Sequence, residues 1–257
     1  MKYLLILLFT LFFLPLSNIF AATANNKFGI SLAQPNTDQF SQVKELLNSN
    51  NGDWGYVTLI IEEKDRNKEK WQQIFNKLRE LHLIPIIRLA TSAEGENWRR
   101  PEVKDVQEWV NFLDSLNWVV KNRYVILFNE PNHGSEWGGE VDAKSYGEVA
   151  TEFAKKLKEK NKDFFVMLAG MDASAPSWMP GMEDEETFLR EVFQGQTEGQ
   201  SLSASQRVRT DLIVLLDGLA SHSYPNPGFS GSPYASGRGT VRTYEWELGF
   251  LKELGVT

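Results

Sequence analysis

The sequence predicts an α/β fold of the (β/α)8-barrel (TIM-barrel) type, and three observations carry that expectation. Six apolar runs recur along the chain, each followed by a stretch of helical periodicity, and such alternation builds a parallel sheet. The runs are nearly continuous in apolar residues, as strands covered on both faces are. No glycine-rich phosphate loop follows the first run, where Ser31-Leu-Ala-Gln-Pro35 stands instead, which weakens the competing open, doubly wound sheet. A barrel closes with eight strand–helix units. Six are legible, so the expectation is a barrel C-terminally truncated after about six β/α units, lacking strands seven and eight, with residues 255–257 reading as the turn into a seventh.

In chain order, residues 1–24 read as a secretory signal. Lys2 supplies the positive start, residues 3–14 are almost unbroken apolar sequence, Pro15 breaks the run, and Ala22-Thr23-Ala24 offers small residues for cleavage. The cut is expected after Ala24, with Ala22 as the alternative. The run is too short to span a bilayer and no charged stop-transfer segment follows, so no stable membrane insertion is expected after cleavage. Residues 25–257 then form the barrel, in a secreted, periplasmic or cell-surface protein.

Strands are expected at 28–33, 54–61, 83–90, 124–128, 164–169 and 218–224. A helix over 36–48 would bury Phe40, Val43, Leu46 and Leu47. Asn67 can cap the next helix, with Trp71, Ile74, Phe75, Leu78 and Leu81 inward. A helix over 103–120 faces the core with Val106, Trp109, Val110, Leu113 and Leu116. Asp142 can cap a helix that buries Tyr146, Val149, Phe153 and Leu157. Residues 187–193 are helical, 196–205 a polar loop, 225–239 a long Pro/Gly/Ser-rich loop, and 241–254 a last helix with Tyr244, Leu248 and Leu251 on one face.

The formal charge is −7, and loss of Lys2 with the signal makes the mature chain about −8. An acidic surface argues against a nucleic-acid partner. There is no cysteine, so disulfides and thiol chemistry are excluded, and a large apolar core must hold the fold. His82, His133 and His222 have no metal-ligand spacing, so no metal is expected.

In such a barrel the chemistry sits at the C-terminal ends of the strands. Those ends carry Glu62, Arg88, Asn129, Glu130, Asp172, His222 and Tyr224, too polar a set for a core. Glu130, directly after an apolar strand, is placed to protonate a leaving oxygen, as glycoside hydrolysis requires. A loop-start Glu with an ordinary pKa is the plain alternative. His222 and Tyr224, two apart on a strand, would point to one side and could orient an anion, or simply pack at the rim. Trp98, Trp137 and Trp178 fall in βα loops, where indole faces can stack on sugar rings; Trp54, Trp71, Trp109 and Trp118 read as core.

At Asn129-Glu130-Pro131 and His222-Ser-Tyr224 the chain resembles the clan A glycoside hydrolases, a superfamily of retaining (β/α)8 enzymes, over residues 28–257. The resemblance implies Glu130 as acid/base, Asn129 holding a sugar 2-hydroxyl, and Arg88 beside the carboxylates. It implies a carbohydrate substrate, hydrolysis of O-glycosidic bonds and no cofactor. The family's nucleophile is a Glu ending strand seven, so it would lie beyond Thr257 and this polypeptide alone is expected to be inactive. Glu245 and Glu247, in the last helix, are expected on its outer surface or against the barrel wall. A non-catalytic carbohydrate-binding protein on a degenerate barrel is the alternative from another class; a metal-dependent barrel hydrolase lacks its ligand clusters. The oligomeric state, and the sugar itself, are not encoded in these motifs.

Overall fold

A computed structural model describes residues 26–193 and 210–254 of the chain. The expected signal over 1–24, the loop over 196–205 and the terminal turn lie outside the described residues. Six parallel strands form one curled sheet: β1 (Gly29–Leu32), β2 (Gly55–Glu62), β3 (Leu83–Ala90), β4 (Arg123–Leu127), β5 (Phe164–Leu168) and β6 (Gly218–Leu219). Their spatial order is their sequence order. A doubly wound sheet reverses direction at a switch point, and this one never does. Crossovers between parallel strands are right-handed as a rule, and in this strand order that rule puts every connecting helix on the same face, which is the winding of a barrel.

The helices are α1 (Phe40–Leu47), α2 (Lys68–Glu80), α3 (Val106–Ser115), α4 (Ala143–Lys160), α5 (Glu185–Phe193), α6 (Thr210–Leu215) and α7 (Thr243–Glu253). The two predicted caps form: Asn67 Oδ1 accepts from the Lys70 amide at 2.9 Å, and Asp142 Oδ1 from the Ser145 amide at 2.9 Å. Trp71, Trp109 and Trp118 are buried as expected. Trp54 is not core. It is half-buried just before the N-terminal end of β2 and stacks on His82, ring centroids 4.4 Å apart.

The two faces of the sheet differ. Along β2, Gly55, Val57, Leu59 and Ile61 are buried under helices, while Tyr56, Thr58, Ile60 and Glu62 are half-buried on the concave side. A closed barrel fills that side from opposite strands; with six strands it forms a trough, lined by Tyr56, Tyr124 and Phe165 in ring contact at 5.9 and 5.1 Å. No helix among the described residues is long and apolar enough to cross a membrane.

Three expectations fail locally. Leu46 is 63% exposed because, at 3.6 residues per turn, it stands about 100° round α1 from Leu47, beyond the face that Phe40, Val43 and Leu47 bury. In α7, Leu251 is buried as expected, but Tyr244 and Leu248 are exposed and Thr243, Glu247 and Phe250 lie inward. Its inner face is set by the partly polar surface it meets, including the buried Glu185, and hydrophobic periodicity cannot anticipate that. The sixth strand ends at Leu219 rather than continuing through Tyr224. The Tyr224 amide bonds back to the His222 carbonyl at 2.8 Å, a tight turn in place of a ladder.

Candidate active site

Glu130 emerges from β4 through strained backbone. Phe128 and Glu130 both have positive φ, 74° and 32°, in a region that residues with a Cβ rarely occupy. The Glu130 amide donates to the Gly170 carbonyl beyond β5 at 3.0 Å, and its own carbonyl accepts from the His133 amide at 2.8 Å. These bonds hold the strained turn and set the carboxylate at the C-terminal rim. There Oε1 meets His222 Nδ1 at 2.6 Å, both side chains largely but not fully buried.

The approach of His222 depends on Gly170. A Cβ at that position would stand 2.5 Å from His222 Cδ2, so only glycine lets the imidazole lie there. Tyr224 joins the group, its ring centroid 5.4 Å from that of His222. The expected convergence of Glu130, His222 and Tyr224 is therefore found, but the tight turn produces it and strand alternation does not. Burial pushes the Tyr224 phenol up, and the nearby Glu130 charge pushes it further the same way.

Arg88 points inward from β3 and donates through Nη1 to Asn129 Oδ1. Burial lowers its pKa, while Glu136, Glu130 and Tyr224, which all lie within electrostatic reach, pull it back up. Glu136 is a residue the sequence reading missed. It sits among polar and glycine residues, Ser135 before it and Gly138-Gly139 after, that read as plain loop. The backbone from Glu130 to Glu136, turned by the bond from the His133 amide to the Glu130 carbonyl and by the 3-10 turn Gly134–Glu136, carries it back beside Asn129. Burial raises its pKa, the nearby Asn129 amide lowers it, and Glu130 raises it again.

Arg88, Asn129 and Glu136 share a cavity of about 290 Å³ with Trp98, Phe128 and Glu62. That is near the lower limit of ligand pockets, about 300–1,000 Å³. Trp98 sits at the end of a short hairpin, paired with Ala93. Flanking arginines pin the hairpin: Arg99 pairs with Glu63 at 2.8 Å and Asp105 at 2.9 Å, and Arg100 with Glu140 at 2.8 Å and Asp142 at 3.0 Å.

The other two loop tryptophans are not in this cavity. Trp137 is fully buried, overturning its expected exposure. Its ring packs edge-on against Phe128 at 5.7 Å and Tyr146 at 5.2 Å, beneath the rim, because its polar sequence neighbours turn the chain without shielding it. Trp178 is 80% exposed in the loop after β5 and does not line the Arg88–Asn129 cavity. Asp172 reaches the rim as expected but is engaged. It pairs with His133 Nε2 at 2.9 Å and accepts from the Ser174 amide and hydroxyl at 2.8 and 2.7 Å, bonds that hold its carboxyl well below the usual range. Buried Asn132 clamps this corner through the Asp172 and Glu183 carbonyls, each at 3.0 Å. Among the described residues, no three His, Asp or Glu side chains are grouped to hold a metal ion.

The arrangement offers a carboxyl group hydrogen-bonded to imidazole, a guanidinium, an oriented amide, two further carboxyl groups and one indole, around a space that admits a small polar ring. No known family profile and no curated protein matches the sequence. Solved structures with similar backbones include a β-mannanase of Thermomonospora fusca in complex with mannohexaose, 12% identical, TM-score 0.44, aligned over 76% of this chain and 68% of that one. A β-mannanase of Streptomyces thermolilacinus is 15% identical at TM-score 0.44, over 89% of this chain and 76% of its own. An exo-β-1,4-mannosidase of Opitutaceae bacterium strain TAV5 is 11% identical at TM-score 0.48, over 79% of this chain and 39% of its own.

Proposed function

We propose that this chain is the greater part of a secreted retaining glycoside hydrolase acting on O-glycosidic bonds of a polysaccharide or oligosaccharide, with Glu130 as acid/base. The observation that carries the reading is the placement of Glu130 at the rim after β4, bonded to His222 and adjoining a ring-sized cavity walled by Trp98, Arg88 and Asn129. Glu130 first donates its proton to the leaving glycosidic oxygen. It later takes a proton from the water that releases the sugar. His222 and Tyr224 orient the carboxyl group, Asn129 holds a hydroxyl beside the reacting carbon, and the Arg88 charge supports the anionic state. Trp98 offers its face to a sugar ring, and Trp178 a further one on the exposed loop.

A retaining mechanism needs a second carboxylate about 5–5.5 Å from the first to attack the anomeric carbon. In this reading it belongs to a seventh strand, supplied together with an eighth by further polypeptide, and residues 1–24 are the export signal. General acid catalysis alone is worth only about 10²–10⁴-fold. The 257-residue polypeptide should therefore leave aryl glycosides intact, and a version extended along its reading frame by two strand–helix units should hydrolyse them.

In that extended version, E130Q should slow natural substrates strongly and 2,4-dinitrophenyl glycosides less in the glycosylation step, since a good leaving group needs little proton donation. Added azide should restore turnover and yield a glycosyl azide of retained configuration. Full activity in E130Q would remove Glu130 from this role. Sugar binding without turnover by the extended version would favour a non-catalytic carbohydrate-binding protein instead.

A further inference from the structure

The cavity that holds Arg88 and Asn129 does not end at the second strand. A further cavity of about 540 Å³ adjoins it, and the two share Ala33, Ile60 and Glu62 as common wall. Register explains the opening. Ile60 lies opposite Arg88 and Glu62 opposite Ala90, so Ile60 and Glu62 form a ridge on the concave face of β2. The side chains that flank this ridge at the rim, Ala33 after β1 and Ala90 on β3, end at Cβ and leave space on both sides of it.

The second cavity is built by the loops after β1 and β2, through Gln34, Asn36, Lys64 and Asp65, with Lys70 from the first turn of α2. Its walls are held by the protein itself. Asn36 Oδ1 accepts from the Asp38 amide at 3.0 Å, the Trp71 indole donates to the Asp65 carbonyl at 2.8 Å, and Lys70 Nζ donates to both Asp65 carboxylate oxygens at 2.8 and 2.6 Å. Glu62 Oε2 pairs with Lys64 Nζ at 3.0 Å, which leaves Oε1 to accept from a ligand. Glu62 and Asp65 balance Lys64 and Lys70, and none of the lining residues is aromatic. Such a cavity suits a neutral, polyhydroxylated ligand held by charge-assisted hydrogen bonds rather than by stacking.

We propose that the second cavity is a sugar subsite continuous with the first, and that Glu62 is the binding residue where two consecutive units meet. In strand order the units run from Glu130 after β4, past Arg88 on β3, to Gln34 after β1. The substrate is then a neutral chain with at least two units on the β1 side of the cleaved bond, not a glycoside of one sugar. The sugar identity rests on the glycosidase reading above; the joined cavities do not.

NMR titration of the 257-residue chain tests the subsite, with methyl β-glycosides of mannose, glucose and xylose and their β-1,4-linked oligomers of two and three units. In the series that binds, lengthening should tighten affinity about tenfold, the worth of one hydrogen bond. The amides of Asn36 and Lys64 should shift with the longer members only. Ala33 is exposed, so A33F should fold while its ring closes the passage between the cavities. It should bind the single sugar within about twofold of wild type and lose both the gain with length and the two shifts. E62A should lose the gain without adding bulk. Affinity that does not grow with length, a gain that survives in either variant, or Asn36 and Lys64 amides that stay still overturns the second subsite and leaves the glycosidase reading intact. If no member of any series binds, the carbohydrate reading falls and the subsite falls with it.

Discussion

Glu185 of α5 and Glu247 of α7 meet in the core with neither side chain exposed, and none of their four carboxylate oxygens has a hydrogen-bond partner of good geometry. Ser221 and His222 lie near Glu247, and Arg238 and Asp184 near Glu185. Burial pushes the Glu185 carboxyl up to about 9, with Glu247 pushing the same way, and burial raises Glu247 too. Two like charges buried side by side cannot both persist, so the pair keeps at least one proton at neutral pH. The folded value lies above the unfolded one of 4.5, so the folded chain binds more protons across that window, and stability falls as pH rises from 4.5 to about 9.

At pH 7, holding the Glu185 carboxyl neutral costs about 3 kcal/mol, from roughly 1.4 kcal/mol for each pH step above the unfolded value. E185Q is neutral at every pH and nearly the same shape, and burying its poorly partnered amide costs about 1 kcal/mol. It should stabilise the protein by about 2 kcal/mol at pH 7, by more at pH 8.5, and hardly at all at pH 5. Urea unfolding of both proteins at the three pH values measures this, and their difference cancels the titrating groups remote from the Glu185–Glu247 pair. A difference that does not grow with pH, or an E185Q protein less stable at pH 8.5, would refute the protonated pair.

The His133–Asp172 pair titrates in the opposite sense at its acid end. Asp172 is depressed by the His133 bond, so its contribution is lost as pH falls below 3.8; His133 is raised by the same bond, so its contribution is lost as pH rises above 6.5. D172N should cost about 1–3 kcal/mol at pH 5, less at pH 8, where His133 is neutral but the Ser174 bonds are still lost, and progressively less as pH falls below 3.8, read from unfolding at pH 3, 5 and 8. Trp137→Ala should cost about 3–5 kcal/mol in a thermal or urea melt, as removal of a buried aromatic does, whereas Trp98→Ala should leave stability within about 1 kcal/mol and weaken sugar binding. The reverse pattern would mean the two indoles have been assigned to the wrong roles. Gly170→Ala should fold, but its Cβ must displace His222; a proton shared by His222 Nδ1 and Glu130, which NMR should detect in wild type, should vanish, and its survival would show that the imidazole does not lie against Gly170.

Periodicity along the chain was enough to locate every strand of the sheet and nearly every helix, because a strand under helices must be apolar and a helix over a sheet must carry one apolar face. It also placed Glu130, since a carboxylate directly after a buried strand can only emerge at the rim. The caps at Asn67 and Asp142 were legible for a similar reason: a helix start leaves amides that a side chain one position outside can reach. What periodicity reports is local, and its failures are all non-local. Leu46, Tyr244 and Leu248 are apolar and exposed. Trp137 lies in a polar stretch and is buried beneath Phe128 and Tyr146.

The site shows the same division. Chemistry and position nominated Glu130, Asn129, Arg88, His222 and Tyr224 from the sequence. That Glu136 returns beside Asn129, that His133 rather than solvent meets Asp172, and that Glu185 finds Glu247 were decided by the tertiary structure alone. Each is a contact between elements whose separation in the chain carries no period. Its cause is the shape that remains when neighbouring backbones pack: the 3-10 turn Gly134–Glu136, the room left by Gly170, and the turn of α7 that carries a carboxylate inward.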